Sequence, residues 1–561
     1  MSIWLAFRDA IALVTPHEDV ILDGEPSPAG TLTELADAAV VSAMTAADGR
    51  VLVASSTLPY SERTSFAVRA GAQAGPGWKL CDLATNSSVA VGDGGVARWT
   101  AAKERGSLLL LGSDTPCHSS RLKHDDVVHD QGDTPPHVMI YLLDDLGWFD
   151  TQPRNQASSM TGHFAELANS GIVLERHHSY TVCSASRRSL LSGRFPAHIT
   201  GDQAKLCDNI LPLQFTLLPA KLKQAGFETH MIGKAHLGFQ TTDHLPIRRG
   251  FDSHIGWLGG GEESYAHGLC DNATQCQYDM WEDYGPADMA TVQEIQYSTN
   301  FYTEQAMRRL RNRNRTQPFF MYLAHQAVHS PYTLPPAWER QNDTRFWSAT
   351  YGDMLSVLND GLQNLTIELK AQRMWPNTLI LAVSDNGGCT CGGKGWQGCT
   401  AVCKLPAWQR GGCTCDGDAP ACTANNHGLR GRKGDHWEGG TRTNAFISGG
   451  VIPANLRGSS SSALIHIADW YSTLCGLVGV DPSDIVSLPS VTHPSSSHEI
   501  DSVDAWPRLL KANLTNPRPF VPTTDMGILW ETTDGRMYKY YIIAEETFWY
   551  MPDNVVVCTA V

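Results

Sequence analysis

Between His137 and Asn386, four short apolar runs each lead straight into charged or imidazole residues. Val138–Leu143 stops at Asp144-Asp145, Phe227–Ile232 leads to Lys234 and His236, Phe319–Ala324 leads to His325 and His329, and Leu379–Val383 leads to Asp385-Asn386. Amphipathic stretches at His163–Asn169, Thr216–Ala225, Thr299–Arg313 and Gly352–Arg373 separate these runs, and His466–Gly476 is a fifth. Buried strands alternating with helices predict an α/β fold whose sheet is large and mostly parallel. In such sheets ligands bind beyond the carboxyl ends of the strands. One polar strand end is ordinary. Four of them predict a shared cleft.

The chemistry at those ends is specific. Asp144, Asp145, Asp385 and Asn386 offer only oxygen, the donor set of Ca²⁺ or Mg²⁺ rather than Zn²⁺. Adjacent carboxylates repel unless a cation sits between them. Taken alone, Asp-Asp-Leu-Gly and Asp-Asn-Gly-Gly would each read as a turn. Cys183 opens the run Cys-Ser-Ala-Ser-Arg-Arg-Ser-Leu-Leu-Ser-Gly-Arg. Ser186 to Gly193 reads as a short helix stopped by glycine, so Cys183 falls near a helix N-terminus, where an anion or a nucleophile is favoured. Arg187 lies one turn on along the same face. A lone cysteine would otherwise read as half of a disulfide. Lys234, His236, His329 and Lys433 are individually weak signals. Together with Cys183, Arg187 and a hard cation they suit a tetrahedral oxyanion such as sulfate or phosphate.

The flanking regions are less informative. Residues 1–135 hold a few β-like runs, such as Val51–Ser55 and Leu108–Leu111, and no motif, and Ser113–Pro136 reads as a linker. Beyond Gly449 the strand–helix rhythm weakens, and Ser459–Ser462 and Ser495–Ser497 read as loop. The expected division is therefore 1–135 as an N-terminal extension, 136–449 as the catalytic domain and 450–561 as a smaller C-terminal subdomain. The net charge of −15 excludes a generally basic nucleic-acid binder. No apolar run reaches the ~18 residues of a membrane span.

Six Asn-x-Ser/Thr sequons, at Asn86, Asn272, Asn314, Asn342, Asn364 and Asn513, and 15 cysteines point to the secretory pathway, lysosomal or extracellular. Met1–Val14 is broken by Arg8 and Asp9 and reads as no clear signal peptide, so a missing or atypical leader is expected. Seven cysteines cluster between Cys389 and Cys422. Their spacing only loosely resembles a zinc site, and disulfides are the preferred reading in an exported chain. Cys270 and Cys276 read as another local pair.

These residues resemble the type I sulfatases of the alkaline-phosphatase-like superfamily. Cys183–Arg194 is similar to the signature Cys-x-Pro/Ala-x-Arg followed by Leu-Leu-x-Gly-Arg, and Gly233–Gly238 (GKAHLG) to the second signature. Asp-Asp-Leu-Gly-Trp at 144–148, Ala-Val-His-Ser-Pro at 327–331, Ser-Asp-Asn-Gly-Gly at 384–388 and the segment 429–442 follow in the family's order. TNFYTEQAM, the sequon at Asn364 and HIADWYSTLCGL look most like the arylsulfatase B branch, the N-acetylgalactosamine 4-sulfatases and their relatives. The resemblance covers about 137–510. It implies an alkaline-phosphatase-like sheet with a short antiparallel sheet in the C-terminal subdomain.

It also implies a mechanism. Cys183 would be oxidised to formylglycine by the formylglycine-generating enzyme. Arg187 would steady that group, and Asp144, Asp145, Asp385 and Asn386, with the modified Cys183, would hold one Ca²⁺. Lys234 and Lys433 would neutralise sulfate oxygens, His329 would help the leaving alcohol depart, and His236 would take a proton to expel sulfate. The implied substrates are sulfate esters, on a sulfated small molecule or polysaccharide. His325 falls outside the matched position and receives no role. Ala185 stands where the family usually has Pro. Ala235 stands where it has Trp, a change expected to enlarge or loosen the site. The Cys-rich segment 389–425 reads as an insertion over the pocket. Two alternatives stay open at this point: a phosphate or phosphonate ester hydrolase of the same superfamily, and an inactive glycosylated binding protein on this scaffold.

Overall fold

The computed structural model describes residues 135–541 apart from 153, 156–160, 200–209, 273–274, 289, 291, 293–294, 341–348, 391–423, 485, 488–496, 512–515, 517, 525–526 and 533–535. Before residue 135 it describes the backbone of nine strands between 25 and 112. The expected linker after residue 112, the sequons at Asn86, Asn342 and Asn513, the loop reading at 495–496 and most of the Cys-rich insertion lie outside the described residues. Two compact units result: residues 1–127 with 529–561, and residues 128–528.

In the first unit, the β-like runs noted above become Val51–Thr57 and Ser107–Gly112. They pair antiparallel within a six-stranded sheet, and the strands of a three-stranded sheet are interleaved with it in sequence.

The second unit is built on a ten-stranded mixed sheet. Its strands are β1 His137–Leu143, β2 Ile172–His178, β3 Glu228–Gly233, β4 Ser253–Trp257, β5 Met280–Glu282, β6 Gly285–Pro286, β7 Phe319–Ala324, β8 Thr378–Ser384, β9 Ala445–Ser448 and β10 Ser459–His466. Their order across the sheet is β6-β5-β4-β3-β7-β1-β8-β9-β2-β10. The run from β4 through β3, β7 and β1 to β8 is parallel, whereas β9 is antiparallel to both of its neighbours.

The main helices are α1 Gly162–Asn169, α2 Cys183–Ser192, α3 Leu218–Gln224, α4 Ser298–Asn312, α5 Ala349–Ala371 and α6 Asp469–Leu477. They cover both faces of the sheet, and β1 shows why its run is continuously apolar. Val138, Ile140 and Leu142 enter the core shared with α2, α3 and α6. Met139, Tyr141 and Leu143 alternate into the core shared with α1, α4 and α5.

Ser459–Ser462 is not loop but the start of β10, which pairs parallel with β2 through Ile172↔Ser459, Val173↔Ser460 and Leu174↔Ser461. Ser460 and Ser462 face solvent while Ser461 and Ala463 are buried, so the strand begins with small polar residues on its open side. β2 and β9 also went unread, because short strands of mixed composition give little periodic signal. A three-stranded sheet of Phe520–Thr524, Gly527–Glu531 and Met537–Tyr541 forms the short antiparallel sheet expected toward the C-terminus. No helix among the described residues is long and apolar enough to cross a membrane. Asn314 and Asn364, sequon residues within the described part, are both exposed.

His177, at the end of β2, ties this strand to α6. Its Nε2 accepts the Trp470 indole N–H at 3.1 Å and its Nδ1 meets the Thr443 hydroxyl at 2.9 Å. Indole nitrogen only donates, so Nε2 must be unprotonated and Nδ1 carries the hydrogen. Burial, with His178 adding to it, holds this imidazole at about 3. The folded value lies below the unfolded value near 6.5. The contribution to stability is therefore complete above pH ~6.5 and shrinks by about 1.4 kcal/mol per pH unit as pH falls toward 3. In urea unfolding, the stability difference between wild type and His177→Gln is expected to shrink by about 2 kcal/mol from pH 7.5 to 5. A difference that does not move with pH would refute this reading.

Candidate active site

The four polar strand ends belong to β3, β7, β1 and β8, which are consecutive neighbours and mutually parallel. Their carboxyl ends therefore lie side by side. β1 delivers Asp144 and Asp145, β3 delivers Lys234 and His236, β7 leads to His325 and His329, and β8 delivers Asp385 and Asn386. Backbone bonds continue the ladder beyond the strands: Asp385 N–H donates to Leu143 O at 3.0 Å, His325 N–H to Leu142 O at 3.1 Å and Lys234 N–H to Ala324 O at 2.8 Å.

The turns off these strands are tight. Asp145 (φ 57°) and His236 (φ 52°) both occupy the left-handed region, unusual for residues with a Cβ. Gly233 (φ 90°) precedes Lys234, and a Cβ there would lie 2.1 Å from Ala324 O. Only glycine fits that crossing of β3 and β7.

Cys183 comes from a different direction. It is the first residue of α2, so this helix starts three residues earlier than its expected span from Ser186. Gly193, in the left-handed conformation (φ 69°), ends it. Cys183 Sγ lies 3.4 Å from His236 Nδ1. Sγ also lies within 4.8 Å of carboxylate oxygens of Asp144 and Asp385.

Arg187, one turn along α2, is fully buried and locks the carboxylates. Its Nε donates to Asp385 Oδ2 at 2.8 Å, one terminal nitrogen donates to Asp144 Oδ2 at 3.2 Å, and the other donates to Lys234 O at 3.2 Å. Lys234 Nζ also donates to Asp144 Oδ2. On the far side, Asp145 Oδ1 accepts Asn386 Nδ2 at 2.7 Å and stands 2.7 Å from Lys433 Nζ. His329 Nε2 is 3.7 Å from Asp145 Oδ2.

Three oxygens in this cluster have no hydrogen-bond donor: Asp144 Oδ1, Asp385 Oδ1 and Asn386 Oδ1, all buried. Buried polar atoms are rarely left so without reason. All three are hard oxygen donors from adjacent strand ends, and two belong to carboxylates. A hard divalent cation fits this set of oxygens.

The charges are balanced among themselves. Burial alone would push the Asp144 carboxyl up, yet Lys234, His329, Arg187 and Lys433 outweigh it and hold it well below the usual carboxylate range. Asp385 is raised to about 7 by burial and by the Asp144 charge beside it, only partly offset by Arg187 and Lys234. A bound divalent cation would reverse that shift. Lys433 stays firmly charged, because Asp145 and its neighbours overcome the effect of burial. His236 is pushed well below the ordinary histidine value by burial, then by Lys234 and Arg187, so it is neutral. His329 is lowered by burial and by Lys433. Its Nδ1 faces the Ser330 carbonyl, an acceptor only, which fixes hydrogen on Nδ1 and leaves Nε2 to hold or release a proton.

All ten residues expected at the site thus converge. His325, given no role, stands apart from them: it is buried against Tyr141, with ring centroids 5.0 Å apart, and neither ring nitrogen has a partner. Ala235 is buried in the apolar core and its amide donates to Trp257 O at 2.9 Å. Ala185 is buried within α2. Sequence reading missed Gly260. A Cβ at that position would lie 2.8 Å from the His236 ring, so the 259–263 loop rests against the imidazole. Gly259-Gly260-Gly261 was the available signal. In the hairpin that follows, the backbone register sets Cys270 opposite Cys276.

Comparison with known proteins agrees with this geometry. The Sulfatase family model matches residues 136–480. Arylsulfatase J of Mus musculus is 32% identical over 395 residues, covering 69% of this chain and 58% of that protein. The chain thus spans little more than half the length of this relative. N-acetylgalactosamine-6-sulfatase of Sus scrofa is 27% identical, covering 68% of this chain and 67% of the other. Among solved structures, the PsFucS1 sulfatase from Pseudoalteromonas sp. superposes with a TM-score of 0.55 at 21% identity, covering 72% of this chain and 78% of that one. Ps i-CgsB in complex with k-i-k-neocarrahexaose gives 0.54 at 22% identity, covering 72% and 86%. At these identities the likeness is one of fold, the large mixed sheet flanked by helices.

Proposed function

The chain belongs to the sulfatase family, and on that premise we propose that it hydrolyses sulfate esters of sugars, using a formylglycine made from Cys183 and one bound Ca²⁺. The observation that carries this reading is the meeting of Cys183 with three donorless oxygens and fixed positive charge at one end of the sheet. The name of the N-acetylgalactosamine-6-sulfatase relative supports a sulfated sugar as the substrate class. Modification of Cys183 would fall to the formylglycine-generating enzyme of the secretory pathway.

Asp144, Asp145, Asp385 and Asn386 would hold the calcium. Bound there, the ion would supply a double positive charge beside the sulfate oxygens, and formylglycine at position 183 would supply the hydroxyl nucleophile. The chain's own residues do the rest. Arg187 aims both carboxylates, helps to keep Asp144 ionised and partly offsets the upward shift of Asp385. Lys234 and Lys433 bring the fixed positive charge that a sulfuryl transition state needs. His329, with Nδ1–H held by the Ser330 carbonyl, would act in its doubly protonated form and give the Nε2 proton to the departing alcohol, returning to the neutral ring. His236, held neutral by burial and its cationic neighbours, accepts a proton from the group at position 183 so that sulfate leaves.

The reading is tested by mass spectrometry of the Cys183 peptide from protein made in a eukaryotic secretory host, alongside turnover of sulfated monosaccharides. An aldehyde or its hydrate with calcium-dependent turnover is expected. An unmodified thiol together with no turnover would sink it. A narrower outcome concerns His329. His329→Gln should lower kcat by about 10²–10⁴-fold on sugar sulfates, whose alcohols need a proton to leave. The loss should be much smaller on aryl sulfates, whose phenols leave unaided. Equal losses on both classes would remove the general-acid role.

A further inference from the structure

Asn426 stands where three loops of the site meet: the one carrying Asp144 and Asp145, the one carrying Asp385 and Asn386, and the one carrying Lys433. Its side chain is buried. Oδ1 accepts the backbone N–H of Trp148 at 3.1 Å and of Gly388 at 3.3 Å. Nδ2 donates to the carbonyls of Gly388 at 3.0 Å, Gly431 at 3.2 Å and Gly439 at 3.0 Å. One amide therefore uses its full acceptor and donor capacity on three different strands of backbone.

The surroundings explain why an amide is needed there. The loops press backbone against backbone. A Cβ at Gly388 would fall 2.6 Å from the Gly147 Cα, one at Gly387 would fall 1.8 Å from Gly439 O, and one at Gly439 would fall 2.1 Å from Gly431 O. Such a seam leaves buried carbonyls with no neighbouring side chain to satisfy them, and unsatisfied carbonyls are costly. The Gly388 carbonyl that Asn426 holds also accepts the Lys433 amide N–H at 3.1 Å. Lys433 in turn places its ammonium 2.7 Å from Asp145.

We propose that Asn426 is a positioning residue for sulfate ester hydrolysis, setting the Lys433 ammonium in register with the Asp145–Asn386 pair. This rests on the sulfatase reading above. A displacement of about 1 Å in a charged group of this kind can cost on the order of 10²-fold in rate.

The test is a double-mutant cycle with Lys433, read as kcat and KM on a chromogenic aryl sulfate. Asn426→Asp keeps the shape and both accepted bonds but removes the donors to Gly388, Gly431 and Gly439. Asn426→Ser is neutral and shorter. Each single variant is expected to lose about 10–100-fold, mostly in kcat. Added to Lys433→Met, either should cost no more than about threefold further, because the group being positioned is already gone. Losses that multiply in the double variants, or single variants with full activity, would overturn the proposal. Failure of both single variants to fold would assign Asn426 to the scaffold and overturn it as well. A wild type that turns over no sulfate ester counts against the sulfatase reading and takes this proposal with it. Multiplicative losses in an active enzyme count against this proposal alone.

Discussion

Cys183→Ala is expected to lower kcat/KM for sulfate esters by about 10⁴-fold or more, the usual scale for removing a nucleophile that works with its partners as a unit. The fold should hardly notice. Cys183 heads α2, and its thiol meets His236 Nδ1 at 3.4 Å. Losing one sulfur atom at a helix start leaves little cavity, so the melting temperature should stay within about 2 °C, the shift of a fraction of a kcal/mol. Cys183→Ser keeps a hydroxyl at nearly the same place and separates two ideas. If an ordinary oxygen nucleophile were enough, serine would retain turnover. If the position must carry the modified group, serine should be nearly as inactive as alanine. Initial rates on an aryl sulfate decide between these. Activity within tenfold of wild type in the alanine variant would remove Cys183 from the chemistry altogether.

Arg187→Met is the second large effect, and it combines stability with activity. The guanidinium is fully buried and bridges Asp144, Asp385 and the Lys234 carbonyl. Taking it away leaves the buried Asp385 without its closest cation and Asp144 with Lys234 and no guanidinium, and breaking a buried pair in this way typically costs about 3–5 kcal/mol. The pH dependence of that cost has a definite sign. Without Arg187, the folded-state values of Asp144 and Asp385 rise above those of the wild type. Protonating them then relieves the variant, so the gap between wild type and Arg187→Met should be widest near pH 8 and narrow as pH falls toward 5. Urea unfolding at both pH values, in excess chelator, measures the gap. Adding Asp385→Asn to Arg187→Met should recover part of the loss, since it removes one of the stranded charges. A gap that widens on acidification, or no recovery in the double variant, would show that Arg187 acts by packing rather than by charge.

Much of this site was legible in the sequence because it is local. A parallel strand buried on both faces must be apolar throughout, so the break at Asp144, Asp385 or His325 is abrupt and visible. What the sequence could not give was the order of the strands. That β3, β7, β1 and β8 are immediate neighbours follows from packing between segments up to about 250 residues apart, and no local pattern encodes it. β10 was read as loop because its first four residues are serines, and only its pairing with β2 makes them a strand. Asn426 was hidden for a related reason. In the run Asn-Asn-His-Gly it looks like an ordinary turn residue, and its value comes from carbonyls contributed by Gly388, Gly431 and Gly439. Gly260 was in view as part of a glycine triplet, but its contact with His236 depends on how that loop folds back.

The glycine seam gives the parts of the site unequal freedom to vary. On the cation side, Gly147, Gly387, Gly388 and Gly439 touch other backbone where a side chain would be, so even alanine has no place there. That part admits no gradual adjustment. The 259–267 and 329–334 loops, which reach the site at His236 and His329, are joined where Glu263 accepts the Tyr265 and Ala266 amides and the Thr333 hydroxyl. They leave Tyr265 and Leu334 projecting into solvent. A protein built this way can change which ester it admits by exchanging a few exposed side chains on one lip, while the lip that holds the charge stays fixed.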